Sequence, residues 1–253
     1  MKTPQSFQDH FSGHAADYAR FRPHYPPELF AWLAELAPAS ELAWDCATGN
    51  GQAAVALSAH FAEVVATDAS AEQVAQAEAH AGVRYAVAPA EESGLPEGSV
   101  DLVTVAQALH WFDLGRFYAE VRRVLRPSGI LAVWSYGLFE CSPAVDVLVR
   151  RLYADIVGPY WPMERRLVEE GYRSLPYPFP ELAPPAFAME ARWTLAQTAG
   201  YLNTWSAVQR YRKDRAEDPL DLIAAELTAA WGDPAAAQRL RWPLQLRVGR
   251  APA

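Results

Sequence analysis

The sequence predicts an α/β protein built on a doubly wound, mostly parallel sheet. Three observations carry that prediction. Strand-like and helical stretches alternate from about Glu41 to Trp134. The strand-like runs are continuously apolar rather than alternating, as in strands buried on both faces. A glycine-bearing turn, Ala47-Thr48-Gly49-Asn50-Gly51, separates the first strand from its helix, and an acid, Asp68, closes the second strand.

The elements follow in order. Leu42–Ala47 reads as the first strand and Ala53–His60 as its helix. Val64–Thr67 is the second strand, and Ala71–His80 a helix with Ser70 as N-cap. Val83–Val87 and Val100–Ala106 are the third and fourth strands, the latter apolar apart from Asp101 and Thr104. Leu114–Leu125 is a helix, closed by Arg122, Arg123 and Arg126 and stopped by Pro127. Ile130–Trp134 is the fifth strand. Beyond it, Ser142–Val157 and Trp161–Tyr172 read as helical. The five prolines of 173–185 argue against regular structure there. Phe187–Leu195 reads as a strand, Gln197–Tyr211 and Pro219–Trp231 as helices, and Leu244–Val248 as a final strand. This divides the chain into a cover segment (1–27), a ligand-binding core (28–135), a helical lid (136–185) and a segment completing the core sheet (186–253).

Composition narrows the function. With 253 residues and 51% hydrophobic side chains, the chain can bury one large core. A net charge of −8 disfavours a nucleic-acid partner, which needs a basic face. No apolar run approaches the ~18 residues of a membrane span, and the first residues carry no apolar secretion signal. The two cysteines, Cys46 and Cys141, imply no disulfide framework. A cytoplasmic protein with a small-molecule partner, monomeric or homodimeric, is expected.

The glycine turn suggests which ligand. In open α/β sheets the ligand crevice lies at the carboxyl ends of the strands, where Asp45, Gly49, Asp68, Ala90, Gln107 and His110 fall. Glycines let a ligand approach the backbone, and Asp68, 23 residues after Asp45, is placed to reach ribose hydroxyls. Gly49-Asn50-Gly51-Gln52-Ala53-Ala54 also fits the dinucleotide fingerprint, which leaves a dinucleotide-dependent oxidoreductase as an alternative. Asp45 counts against it, because an acid four residues before Gly49 would repel a pyrophosphate. It suits a cationic group instead, such as the ammonium of a methionine moiety.

Asp45-Cys46-Ala47-Thr48-Gly49-Asn50-Gly51 resembles motif I of the class I S-adenosylmethionine-dependent methyltransferases, with Ala47 in place of the first glycine. Three further stretches are similar to the trans-aconitate methyltransferase-like (methyltransferase type 11) group: Tyr18-Ala19-Arg20-Phe21-Arg22-Pro23-His24-Tyr25-Pro26, Ala106-Gln107-Ala108-Leu109-His110-Trp111-Phe112-Asp113 and Tyr201-Leu202-Asn203-Thr204-Trp205-Ser206. With Asp68 and Leu125-Arg126-Pro127-Ser128-Gly129, the resemblance spans nearly the whole chain.

The resemblance implies a Rossmann-like seven-stranded sheet with its last strand antiparallel, and S-adenosylmethionine as cofactor, leaving S-adenosylhomocysteine. It implies a cofactor site of Asp45, Ala47, Gly49, Gly51, Asp68, Ala69, Ala90, Glu91 and Gln107, closed by Tyr18 and Arg22 on the methionine carboxylate. Pro89 stands where many relatives have Asp, so the adenine amino group needs a backbone carbonyl or Glu91. His110 and Trp111 would face the acceptor, His110 being best placed as a base where one is needed. Trp134, Tyr136, Tyr153, Tyr160, Tyr201 and Trp205 could line the acceptor pocket.

Methyl transfer to a small acidic molecule, on a carboxylate oxygen held by Arg165, Arg166, Arg192 or Arg210, is the expected reaction. A non-catalytic protein binding the same cofactor is the other possibility on this fold. His10 and His14 are spaced i, i+4, but no third ligand is nearby, and no metal is expected.

Overall fold

The computed structural model describes residues 23–253. Tyr18, Arg22, His10 and His14 lie outside the described residues. Helix α1 (Pro27–Leu36) starts with a proline in its first turn, where the missing N–H costs nothing. It precedes β1 (Leu42–Cys46), α2 (Gln52–Leu57), β2 (Glu63–Asp68), α3 (Ala71–Gln76), β3 (Val83–Val87), β4 (Val100–Ala106), α4 (Leu114–Val124) and β5 (Leu125–Tyr136). Then come α5 (Pro143–Arg150), α6 (Arg165–Glu169), β6 (Glu181–Leu182), β7 (Ala188–Trp193), α7 (Leu195–Asn203), α8 (Ser206–Arg215), α9 (Ala224–Trp231) and β8 (Gln238–Arg250).

The strands run in the order β3–β2–β1–β4–β5–β8–β6. The first five are mutually parallel, and β8 inserts antiparallel between β5 and β6. The Rossmann-like sheet is therefore present, with its reversal of strand order between β1 and β4. There the chain leaves β1 toward one side and β4 toward the other, which opens the crevice. One face of the sheet is covered by α1 and α2 through Leu29, Phe30, Leu33, Ala53 and Leu57. The other is covered by α4 through Phe117, Val121 and Val124.

Several expectations are revised. Helix α3 ends at Gln76 rather than His80, because Ala77 turns to extended backbone (ψ 148°). Ser70 does cap it, accepting from the Gln73 N–H at 3.3 Å. The predicted helix 197–211 is two helices, broken where Trp205 adopts extended backbone and starts α8. After Arg150 the predicted long helix widens into a π turn, Arg151–Ile156. The proline-rich stretch holds a short strand after all: β6 pairs with β8, Glu181 opposite Gly249. Prolines flank this edge strand, where ladder donors are needed on one side only.

The final strand is far longer than Leu244–Val248. Its second half pairs with β5, while Gln238–Pro243 pairs with β7. Pro243 and the charged Arg239 and Arg241 hid this first half from the apolar pattern. Residues 188–231 accordingly do not simply complete the core sheet. Trp205, Leu227 and Trp231 pack with Tyr136, Phe139, Leu152, Leu240 and Trp242 in a separate apolar cluster, which also takes in the segment expected as a lid. β8 is thus shared by the core sheet and this cluster.

Candidate active site

The site starts at the tip of β1. Asp45 is 1% exposed and accepts from the hydroxyls of Thr48 at 2.6 Å and Thr104 at 2.7 Å. Burial pushes its carboxyl up to about 6, even though the two threonine hydrogen bonds pull it down. Two residues on, Ala47 has φ +56°, in the left-handed region that glycine occupies without cost. The chain then doubles back. The Thr48 N–H donates to Thr67 O at 2.9 Å, and the Gly49 N–H donates to Asp68 Oδ2 at 3.0 Å. Asp68 Oδ1 accepts from the Ser70 N–H at 2.9 Å. Two backbone donors thus fix the Asp68 carboxylate while its remaining lone pairs are available to ligand hydroxyls. Gly51 (φ +86°) opens α2, and a Cβ there would come 2.2 Å from the Tyr85 hydroxyl oxygen.

Of the residues expected on the adenine side, Ala69 is exposed and Ala90 is buried. Glu91 Oε1 accepts from the Asp113 N–H at 2.8 Å. Asp113 is the N-cap of α4, so Glu91 ties the loop after β3 to the loop after β4.

Gln107 stands at the tip of β4 with φ +59°. Its N–H donates to Trp134 O at 2.9 Å, and its Nε2 donates to Tyr136 O at 3.0 Å. Its Oε1 is buried and has no partner; Trp134 Nε1 is in the same position, and these are the two such side-chain atoms among the described residues. An unsatisfied acceptor on the crest, beside a buried carboxylate and a glycine turn, fits a ligand with a cationic head and a ribose.

The residues expected to face the acceptor begin one turn further. His110 lies in a 3-10 turn, Leu109–Trp111. Its Nδ1 is 3.0 Å from the Tyr172 hydroxyl, and the two rings stack with centroids 5.8 Å apart. Burial, and secondarily the charge of Arg165, push His110 down to about 3, so the ring is neutral at pH 7. Tyr172 is wholly buried, and that burial pushes its hydroxyl up. Trp111 packs on His110 at 4.6 Å but remains 42% exposed.

Arg165 donates from Nε to the Tyr153 hydroxyl at 2.7 Å. Its guanidinium lies over the rings of Trp161 at 4.8 Å and Tyr153 at 5.5 Å. Trp205 closes this group, 5.6 Å from Tyr153 and 5.8 Å from Trp161. Among the described residues Arg165 forms no ion pair with a carboxylate. The other candidate arginines differ: Arg166 is exposed and 3.4 Å from Glu170, Arg192 reaches Ala237 O on the β7 edge, and Arg210 donates to Tyr160 O.

The aromatics expected to line an acceptor pocket do not form one group. Trp134 is fully buried on the α1 side of the sheet, against Phe30 at 6.3 Å and Tyr25 at 5.4 Å. Tyr201 belongs to the lid core, its hydroxyl accepting from Trp242 Nε1 at 3.1 Å, and touches Trp205 by an edge. Tyr136 is buried beside Tyr25. Thr48, Thr104 and Tyr172 were missed from sequence. A polar residue inside an apolar strand was the available signal for Thr104; Tyr172, 62 residues from His110, gave none. No cluster of three or more potential metal ligands occurs among the described residues, and no described helix is long and apolar enough to cross a membrane.

Crest and fold together define a class I S-adenosylmethionine-dependent methyltransferase. A family model described as a methyltransferase domain matches residues 44–133. A Dictyostelium discoideum protein named as a methyltransferase is 34% identical over 235 residues, covering 91% of this chain and 89% of its own. An uncharacterized methyltransferase of Mycobacterium tuberculosis is 40% identical over 127 residues, 49% of this chain and 51% of that one. A solved structure from Anaeromyxobacter dehalogenans, described as a type II methyltransferase, superposes with a TM-score of 0.89 at 50% identity, covering 92% of this chain and 100% of that one. The chain belongs to the type 11 methyltransferase family, with S-adenosylmethionine as its cofactor. The oxidoreductase alternative falls with that result.

Proposed function

We propose that this methyltransferase acts on a small acidic acceptor and methylates a carboxylate oxygen. The observation that carries this reading is Arg165, a half-buried cation lying over Tyr153 and Trp161 that makes no direct ion pair with a described carboxylate, Glu169 being linked to it through the Tyr153 hydroxyl. A guanidinium in such a setting favours a planar anion. The rings would hold the rest of a compact molecule, which argues for a small acceptor over a macromolecular one.

The neutral His110 supports the same reading. A carboxylate, with an unperturbed pKa of ~4, is already ionised at pH 7 and needs no base. A phenol or ammonium acceptor would need one, and a histidine held near 3 is a weak base. His110 is then an orienting hydrogen-bonding group, itself steadied by Tyr172. The cofactor supplies an activated methyl sulfonium. The protein's work is to align the acceptor oxygen and exclude water, and alignment can lower a barrier by ~7–11 kcal/mol.

The test uses methyl-labelled cofactor with a panel of small carboxylic acids, amines and phenols. Label appearing in a base-labile methyl ester, with KM raised at least tenfold by Arg165→Met, supports the proposal. Transfer only to amines or phenols would sink it.

A further inference from the structure

Burying a hydrogen-bonding group without a partner costs roughly 1–3 kcal/mol. The described residues contain two such side-chain atoms, Gln107 Oε1 and Trp134 Nε1. They are not scattered. The Gln107 N–H donates to Trp134 O at 2.9 Å, so the two residues are joined at the crest of adjacent strands. One orphan is an acceptor and the other a donor.

The sheet register says which way the indole faces. Asp45 on β1 is opposite Thr104 on β4, and Thr104 is opposite Ala132 on β5. The Asp45–Thr104 side-chain hydrogen bond puts those two side chains on one face. Trp134 is two residues after Ala132, so it points to that same face, one rung nearer the crest. This is the face of α1 and α2, and α2 begins at the glycine turn. The indole N–H therefore shares a face with the buried Asp45 carboxylate and with the turn that receives the cofactor.

We propose that Trp134 is a cofactor-binding residue: its indole N–H donates to the α-carboxylate of the methionyl part, while Gln107 Oε1 accepts from the adjacent α-ammonium. The zwitterion offers one acceptor group and one donor group on the same carbon, which is the complement of the two orphans. Tyr25, edge-on to Trp134 at 5.4 Å, backs the indole and fixes its orientation.

A hydrogen bond to a charged group corresponds to roughly ten- to hundredfold in affinity. The experiment is calorimetric titration of the wild type and Trp134→Phe with two probes. One is S-adenosylhomocysteine; the other is S-adenosyl-3-thiopropylamine, the same molecule without its carboxylate. The expected result is at least tenfold weaker binding of the first probe by the variant, with the second unchanged within about twofold. Equal affinity of both proteins for S-adenosylhomocysteine overturns the proposal, because Nε1 then makes no contact. An equal loss with both probes also overturns it, because the indole then acts only through packing. Should Trp134→Phe fail to fold, 3-benzothienylalanine at position 134 keeps the ring shape, removes only the N–H and answers the same question. Absence of binding by the wild type to either probe would instead count against the cofactor assignment itself.

Discussion

The cofactor crest and the lid are built from different materials. On the crest the chemistry is held by backbone: positive φ at Ala47, Gly51 and Gln107, and N–H groups of Gly49 and Ser70 on Asp68. In the lid it is held by side chains: Arg165 against Tyr153 and Trp161, and Trp205 edge-on to Tyr153. The crest residues come from strand tips and turns in a short stretch of chain. The lid residues come from the π turn (Tyr153), the loop after it (Trp161), the start of α6 (Arg165) and the N-cap of α8 (Trp205). A backbone cradle recognises what is constant in the reaction, and a ring cage can change its acceptor by changing side chains. Perturbations of the two regions should therefore separate cleanly.

The largest effect is expected at Gly51. Gly51→Ala forces a left-handed φ on a residue with a Cβ and drives that Cβ toward the Tyr85 hydroxyl, 2.2 Å away. Loss of S-adenosylhomocysteine affinity by about 100-fold or more is expected by calorimetry, from roughly 3 kcal/mol of strain and clash. An unchanged affinity would break the view of the crest as a backbone cradle.

Asp45 comes next. Its carboxyl sits at about 6 in the fold against an ordinary 3.8. The raised value means the folded state prefers the protonated form. That stabilisation is complete below about pH 4 and is lost as pH rises through about 6, a change on the order of 3 kcal/mol. Denaturant melts at pH 4.5 and 7 should show it, and Asp45→Asn should flatten it. On the proposal that Asp45 faces the cofactor's ammonium, cofactor binding should run the opposite way, weakening below pH 6 as the carboxylate is protonated, and Asp45→Asn should remove that dependence too.

The lid supplies the contrast. Arg165→Met should leave S-adenosylhomocysteine affinity within about twofold, since Arg165 packs on Tyr153 and Trp161 rather than on the glycine turn and Asp68. With an acceptor in hand, the kcat profile should show no inflection near pH 6.5, because His110 titrates near 3. A clear inflection lost in His110→Ala would restore His110 as a general base.

The smallest effect is expected at Ala47. With φ +56°, Ala47→Gly should relieve left-handed strain and stabilise the fold by less than about 1 kcal/mol, read as a rise of a few degrees at most in Tm.

The sequence by itself determined the doubly wound parallel sheet and the glycine turn with its acid. It could do so because strand burial writes continuous apolar runs, and because a turn needing positive φ or close approach writes glycine. Asp45, Gly49, Gly51, Asp68 and Gln107 were therefore legible as a group. Only the tertiary structure decided which residues surround His110 and Arg165. Tyr172 meets His110, and Arg165 meets Tyr153 and Trp161, through packing with no local periodicity to announce it. Tertiary structure also separated Trp134 from the other aromatics, because a tryptophan in an apolar strand reads the same on either face until the register is known. The split strand β8 belongs to the same category: one continuous strand serves two sheets because its register is set by β5 and β7, elements far from it in the chain.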